Sequence, residues 1–280
     1  RAGRSFHIKV RLSEYDNTFE SDEVGTLPEH WSVENGTGAV EKEENENQVL
    51  DVKAEGAGFA KAATAVDCQE EEGNMLNFQL KPVSGKGSVW LGNEDSQIEI
   101  LSYGSEEDDL LTSGEWHTVK VKINAEKKTI QVMVDGKAYG EIKTFEYVPT
   151  DFSITTDGEI QLDNLLVRPI SVQAPDTPKR LTFTSYSDSY VDLQWAAVKG
   201  DSPVHYTIMV NGEILEETVK ENTYRVSGLE PGQQYTFQVR CEDDDDNISE
   251  WSKELQVTLL ETQDDRYVID FNDYEPGTSS

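Results

Sequence analysis

The chain has 280 residues, with 24 Lys and Arg against 55 Asp and Glu, and a formal net charge of −31. Such a surface repels nucleic acid and anionic membranes, which makes both poor partners, and it suits neutral ligands and divalent cations. No apolar run reaches the roughly 18 residues a membrane-spanning helix needs, and the two cysteines, Cys68 and Cys241, fall in separate candidate modules and make no disulfide framework.

Arg1 to Leu12 is basic where the rest is acidic, and Phe6, Ile8, Val10 and Leu12 alternate with polar residues. This predicts a strand, read as the last strand of a preceding module, with a leader segment (residues 1–12) as the alternative. The stretch Tyr15 to Trp31 then returns near the end as Tyr267 to Thr278: aligned on Phe19 and Phe271, Gly25-Thr26 matches Gly277-Thr278 and Glu23 matches Glu275. A repeat with a period of about 250 residues predicts a slice of a longer array, residues 263–280 beginning a second module of the first kind.

From Asn17 to Pro169 the pattern is β throughout. Gln48–Val52, Met75–Leu80, Ser88–Leu91 and Gln97–Leu101 alternate, as do Thr118–Ile123 and Thr129–Val134. Asp135-Gly136 closes a hairpin, and helical periodicity is absent. Many short strands between turns predict a sandwich or barrel over residues 13–170. Pro169 to Pro178 carries three prolines and predicts an extended linker, at residues 171–178. Residues 179–262 read as a second all-β module: Tyr190–Trp195 alternates, and Val204–Val210 leads into the hairpin turn Asn211-Gly212.

Two resemblances add to this. Gly114 to Val119 (GEWHTV), the following strand and turn, and the strand ending at Val134-Asp135-Gly136 resemble the laminin-G/concanavalin-like jelly roll. The opening FES…G…LPEHW and the closing Ile160–Val167 are similar to the first and last strands of jelly rolls in secreted glycan-degrading enzymes. Leu229-Glu230-Pro231-Gly232 with Tyr235 resembles the tyrosine corner of fibronectin type III modules. Cys241 stands where bacterial members of that family commonly have Ala, and Asp246 where they have Gly. The fold class expected is therefore all-β: two tandem β-sandwiches, a jelly roll and then a fibronectin type III-like module, with a terminal strand from a repeated module.

The jelly-roll resemblance implies a structural calcium held by Glu20 in the first strand and Asp163 in the last, with Asp22 and the Gly25 carbonyl as further ligands. Hard cations take six to eight oxygens, so this donor set is chemically apt. The competing reading is two solvated acids in an acidic chain. Asp243 to Asp246 is a second acidic cluster, read as a solvated turn.

For glycan binding, aromatic rings must lie on an outer sheet face. Val89 and Leu91 claim the core, so Trp90 points outward; Ile98 and Ile100 do the same, which puts Tyr103 on the outer face if the strand runs on. Trp90 and Tyr103 are thus the candidate ligand contacts; shared exposure favours binding, burial favours a structural stalk. Trp31, Trp116, Trp195 and Tyr235 are assigned to cores. No catalytic residues are assigned: Glu94, Asp95 and Glu99 do not form a carboxylate pair on one strand face, and His7, His30, His117 and His205 have no metal-ligand spacing.

The function expected is a noncatalytic carbohydrate-binding or accessory module pair of a secreted or cell-surface multimodular protein. The partner would be a polysaccharide, a neutral one in preference, together with neighbouring modules or subunits of the same kind. The alternative is a repeating unit of a surface fibre or adhesin stalk, with residues 1–12 or 267–280 adding strands to a neighbour.

Overall fold

The computed structural model describes residues 15–68, 73–93, 96–105, 110–199, 204–215 and 218–262. The expected strands at Arg1–Leu12 and Tyr267–Thr278 lie outside the described residues. Every regular element described is a strand, as the alternating pattern predicts. The described residues form two compact units, which part between Val172 and Gln173.

The first unit contains β1 (Tyr15–Asn17), β2 (Trp31–Glu34), β3 (Gly36–Lys42), β4 (Gln48–Ala54), β5 (Ala60–Ala65), β6 (Gly73–Ser84) and β7 (Gly87–Gly92). It continues with β8 (Gln97–Tyr103), β9 (His117–Asn124), β10 (Thr129–Val134), β11 (Lys137–Thr144), β12 (Asp151–Thr156) and β13 (Glu159–Ile170). One sheet runs β11-β10-β9-β6-β13-β4-β3, with β1 also on β13; the other runs β2-β5-β12-β7-β8. All pairs are antiparallel.

The core lies between these sheets. Leu76, Phe78 and Leu80 of β6 and Val119, Val121 and Ile123 of β9 bury one side of the larger sheet, with Val89, Leu91, Phe152 and Ile154 from the smaller one. An edge-to-face chain of rings, Trp31–Phe152 at 6.3 Å and Phe78–Phe152 at 5.2 Å, runs through it. The core has the period-2 logic of the sequence: successive side chains on a strand point to opposite faces.

Two interruptions of that period matter for function. On β13, β4 pairs with Glu159–Leu162 and β1 with Leu165–Val167, so the neighbour changes at Asp163–Asn164. The register against β6 slips there, and Asn164 takes φ 52°. On β8, Val89 faces Leu101 but Trp90 faces Glu99, leaving Ile100 as an extra residue. This β-bulge reverses the phase of everything after it.

Strands β3, β5, β11 and β12 were not expected from periodicity. β5 is an Ala-rich run whose small side chains carry a weak signal, and β11 is an edge strand exposed along most of its length, so no buried face imposes alternation. Pro169, expected in the linker, stands inside β13, beyond the reach of both β1 and β4 and opposite Asn74 of β6.

The second unit comprises β14 (Thr182–Tyr186), β15 (Tyr190–Gln194), β16 (Val204–Val210), β17 (Glu213–Ile214), β18 (Thr223–Ser227), β19 (Gln234–Asp243) and β20 (Leu255–Thr258). They form a sheet β14-β15-β18 and a sheet β17-β16-β19-β20. Val191, Leu193 and Trp195 pack against Tyr206, Ile208, Phe237 and Val239. Asn211 and Gly212 both have positive φ, 50° and 84°, as the tight hairpin requires. The Glu230 N–H donates to the Tyr235 hydroxyl at 2.8 Å, which closes the expected corner. Asp246 adopts φ 56°, so the turn keeps the left-handed conformation where the resemblance has Gly. Cys68 and Cys241 are free and buried; burial pushes the Cys68 thiol up to about 12, so it is not a reactive thiolate.

Candidate functional site

The outer face of the larger sheet carries a groove of about 580 Å³ lined by Glu41, Glu43, Glu44, Lys81, Trp116 and Gln161, with Val49 and Lys42 also contributing. Trp116 precedes β9, where His117, Val119, Val121 and Ile123 are buried and the residues between them face outward. Trp116 therefore lies half-buried on the outer side, not in the core to which the sequence assigned it. Alternation counted back from Val119 was the signal that could have placed it.

The ring is held firmly. Its indole N–H donates to Glu43 Oε1 at 3.2 Å, and Lys81 Nζ donates to the same oxygen at 3.1 Å. Lys81 Nζ also stands 5.5 Å from the centroid of the Trp116 ring. The preceding loop is pinned to the end of β6 by Gly114 N–H to the Pro82 carbonyl at 2.7 Å and Ser113 Oγ to the Val83 carbonyl at 3.1 Å. Behind it, His117 Nδ1 lies 2.7 Å from Asp135 Oδ2, and Thr118 N–H donates to Asp135 Oδ1 at 2.9 Å. Burial works against the Asp135 charge, yet these hydrogen bonds hold its carboxyl below the usual range. The Trp-His and Asp-Gly residues thus fix the ring from below.

Next along the same face stands Asp51, 3% exposed. Lys53 Nζ lies 2.7 Å from Asp51 Oδ2 and 3.6 Å from Glu159 Oε1, and Gln161 Nε2 donates to Asp51 Oδ1 at 3.1 Å. Burial and the neighbouring Asp51 charge push the Glu159 carboxyl up. This carboxylate pair was not visible in the sequence, because its members come from strands over 100 residues apart. Asp51 and Glu159 share the Lys53 ammonium, at 2.7 Å and 3.6 Å. The arrangement is an ion-pair cluster centred on Lys53.

Glu20 and Asp163 are brought together where β13 changes partners. Gln48 N–H donates to Glu20 Oε1 at 3.0 Å and Gln48 Nε2 to the Glu20 carbonyl at 2.8 Å. Asp163, 2% exposed, accepts from Asn47 Nδ2 at 3.0 Å, Asn164 N–H at 2.7 Å and Asn164 Nδ2 at 3.0 Å. Burial pushes its carboxyl up, the amide hydrogen bonds oppose this, and the charges of Glu20 and Glu43 add to the rise. A buried carboxylate facing two more carboxylates is a poor environment for a negative charge and a good one for a cation. The amides of Asn47 and Asn164 can turn their oxygens inward, so the donor set fits a hard ion. Asp22 N–H bonds the Phe19 carbonyl, keeping Asp22 in the same turn as Glu20; Gly25 N–H bonds Val40 of β3, one strand beyond β4. Among the described residues no three His, Cys, Asp or Glu side chains form a metal cluster, so any ion here needs amide and carbonyl oxygens.

Trp90 and Tyr103 do not share a face. Trp90 is half-buried on the outer side of the smaller sheet, with its indole N–H 3.4 Å from Thr155 Oγ1. Tyr103 is 1% exposed, and its hydroxyl donates to the Thr155 carbonyl at 3.0 Å. The expectation assumed unbroken alternation along β8; the bulge at Ile100 turns Leu101 and Tyr103 into the core. In the second unit the acidic turn is internally bonded: Asp243 Oδ1 accepts from Asp245 N–H at 3.0 Å and Asn247 N–H at 2.8 Å.

With this geometry in hand, residues 176–258 match the family Fibronectin type III domain. The second unit is a fibronectin type III domain. The chain is similar to Chitinase A1 of Niallia circulans, 35% identical over 91 residues, covering 32% of this chain and 13% of that protein. It is also similar to Chitinase 63 of Streptomyces plicatus, 31% identical over 87 residues, covering 31% and 14%. The chain thus spans only about 13–14% of the length of these relatives. Among solved structures, a sialidase aligns with 58% of the chain and 19% of its own length at 14% identity and a TM-score of 0.40.

Proposed function

We propose that the chain is a noncatalytic accessory unit of a multimodular protein, secreted or at a cell surface, and that its first sandwich binds polysaccharide. The fibronectin type III domain is similar to parts of two chitinases, which supports an accessory role. The observation that carries the binding reading is the groove beside Trp116. Sugar C–H faces stack on aromatic rings while hydroxyls bond to polar side chains, and a rigid indole flanked by Glu41, Glu43, Lys81 and Gln161 offers both. Buried Gln161 Oε1 has no hydrogen-bond partner, so it is an acceptor a small rearrangement would open to a ligand hydroxyl. The unit keeps the laminin-G/concanavalin-like reading of its sequence, with calcium at Glu20 and Asp163 tying its first and last strands.

A second reading, a structural repeat of a stalk, is favoured by the burial of Tyr103, which removes the ligand pair expected on the smaller sheet. A glycan-array screen in calcium buffer separates the two. Binding lost in Trp116→Ala supports the accessory reading; a blank across neutral, acidic and basic glycans rejects it in favour of the stalk.

A further inference from the structure

We infer that the Trp116 groove selects sugars bearing a free, protonated amino group: oligomers of 2-amino-2-deoxyhexose in preference to their N-acetylated or uronic acid counterparts. The inference rests on the polysaccharide-binding reading and names the ligand class of that site. Three glutamates, Glu41, Glu43 and Glu44, line the groove against two lysines. Both lysines are already neutralised: Lys42 pairs with Glu46, and Lys81 with Glu43. Glu41 shares Lys53 with Asp51 and Glu159, one ammonium among three carboxylates. Glu44 has no ion pair with another described residue and is exposed on the groove wall. The groove therefore has carboxylate in excess of cation.

The groove also contains an internal example of the interaction. The Lys81 ammonium sits 5.5 Å from the Trp116 centroid while bonded to a glutamate. An ammonium between an indole face and a carboxylate is the arrangement a protonated amino sugar would reproduce, its ring C–H groups on Trp116 and its amine toward Glu44 and Glu41. An acetamide lacks the charge, and a uronate meets like charge.

The test is titration calorimetry on the whole chain at mildly acidic pH and physiological salt. The probes are a fully deacetylated β-1,4-glucosamine oligomer, the N-acetylated oligomer of equal length, an oligogalacturonate, and an oligolysine of matching charge. The inference expects the deacetylated oligomer to bind about tenfold or more tighter than the acetylated one. Trp116→Ala should weaken it by at least a similar factor. Glu41→Gln with Glu44→Gln should erase the preference, bringing the affinity for the deacetylated oligomer down to that for the acetylated one. Equal or tighter acetylated binding, lost in Trp116→Ala, overturns the ligand class and leaves the site. Absence of binding by every oligosaccharide overturns both. Oligolysine binding as tightly, with no dependence on Trp116, reduces the effect to general attraction by an acidic surface and overturns the inference.

Discussion

The two sheets of the first sandwich treat their aromatic side chains in opposite ways. On the smaller sheet, Tyr103 is drawn into the core and its hydroxyl is satisfied by a backbone carbonyl. On the larger sheet, Trp116 stays outside, braced by Glu43 and Lys81 over a polar groove. The difference comes from one residue of register. β9 alternates without interruption, whereas β8 gains Ile100 as a bulge and changes phase. A face is as readable as the register that carries it.

The sharpest way to break this comparison is Tyr103→Ala, which empties a fully buried site. It should cost about 3–5 kcal/mol in denaturant unfolding, whereas Trp116→Ala should cost about 1 kcal/mol or less. Similar losses for both would mean that Trp116 is a packing residue and the groove is not a preformed site.

Next in size is the cation. Saturating calcium at about a hundred times its dissociation constant would add about 2.7 kcal/mol of stability, and Asp163→Ala should remove that increment. A melting temperature unchanged between calcium and chelator would sink the metal proposal while leaving the groove untouched.

Smaller still is a pH effect on the same face. In chelator, Asp163 and Glu159 hold their protons more tightly folded than unfolded, both pushed up first by burial. Protonation therefore favours the folded state, and this contribution is lost as pH rises through their folded values. Asp192, lowered by its hydrogen bonds from Arg225, acts the other way: its contribution is present above the ordinary carboxylate range and lost on acidification below it. Stability in chelator should thus rise as pH falls from neutrality toward the ordinary carboxylate range and decline below that range. Glu159→Gln should flatten the rise, since it removes one titrating member of the pair with Asp51. An unaltered profile in that variant would show that general charge repulsion alone drives the slope.

Much of the fold was legible because strong alternation survives where a strand is buried on one side. Thr129–Val134 was read to the residue, and Asn211-Gly212 specified its turn without help from tertiary structure. β5 escaped because Ala leaves little periodic signal, and β11 was implied only by the hairpin at Asp135-Gly136, since its exposed polar residues do not alternate. The site was less legible. Glu20 and Asp163 came from resemblance, and the structure brings them together at a break in β13. Trp116 was in phase with the outer face but was assigned to the core. The Asp51–Lys53–Glu159 cluster depends on pairing between β4 and β13, which no local pattern encodes.

The most direct measurement is the indole N–H spectrum of the five tryptophans during titration with a glucosamine oligomer, assigned by single Trp→Phe variants. Because the Trp116 N–H is bonded to Glu43 inside the groove, its resonance should move while those of Trp31, Trp90, Trp195 and Trp251 stay in place. Movement of Trp90 alone, or no indole movement under conditions where the oligomer binds, would contradict the groove as the binding site.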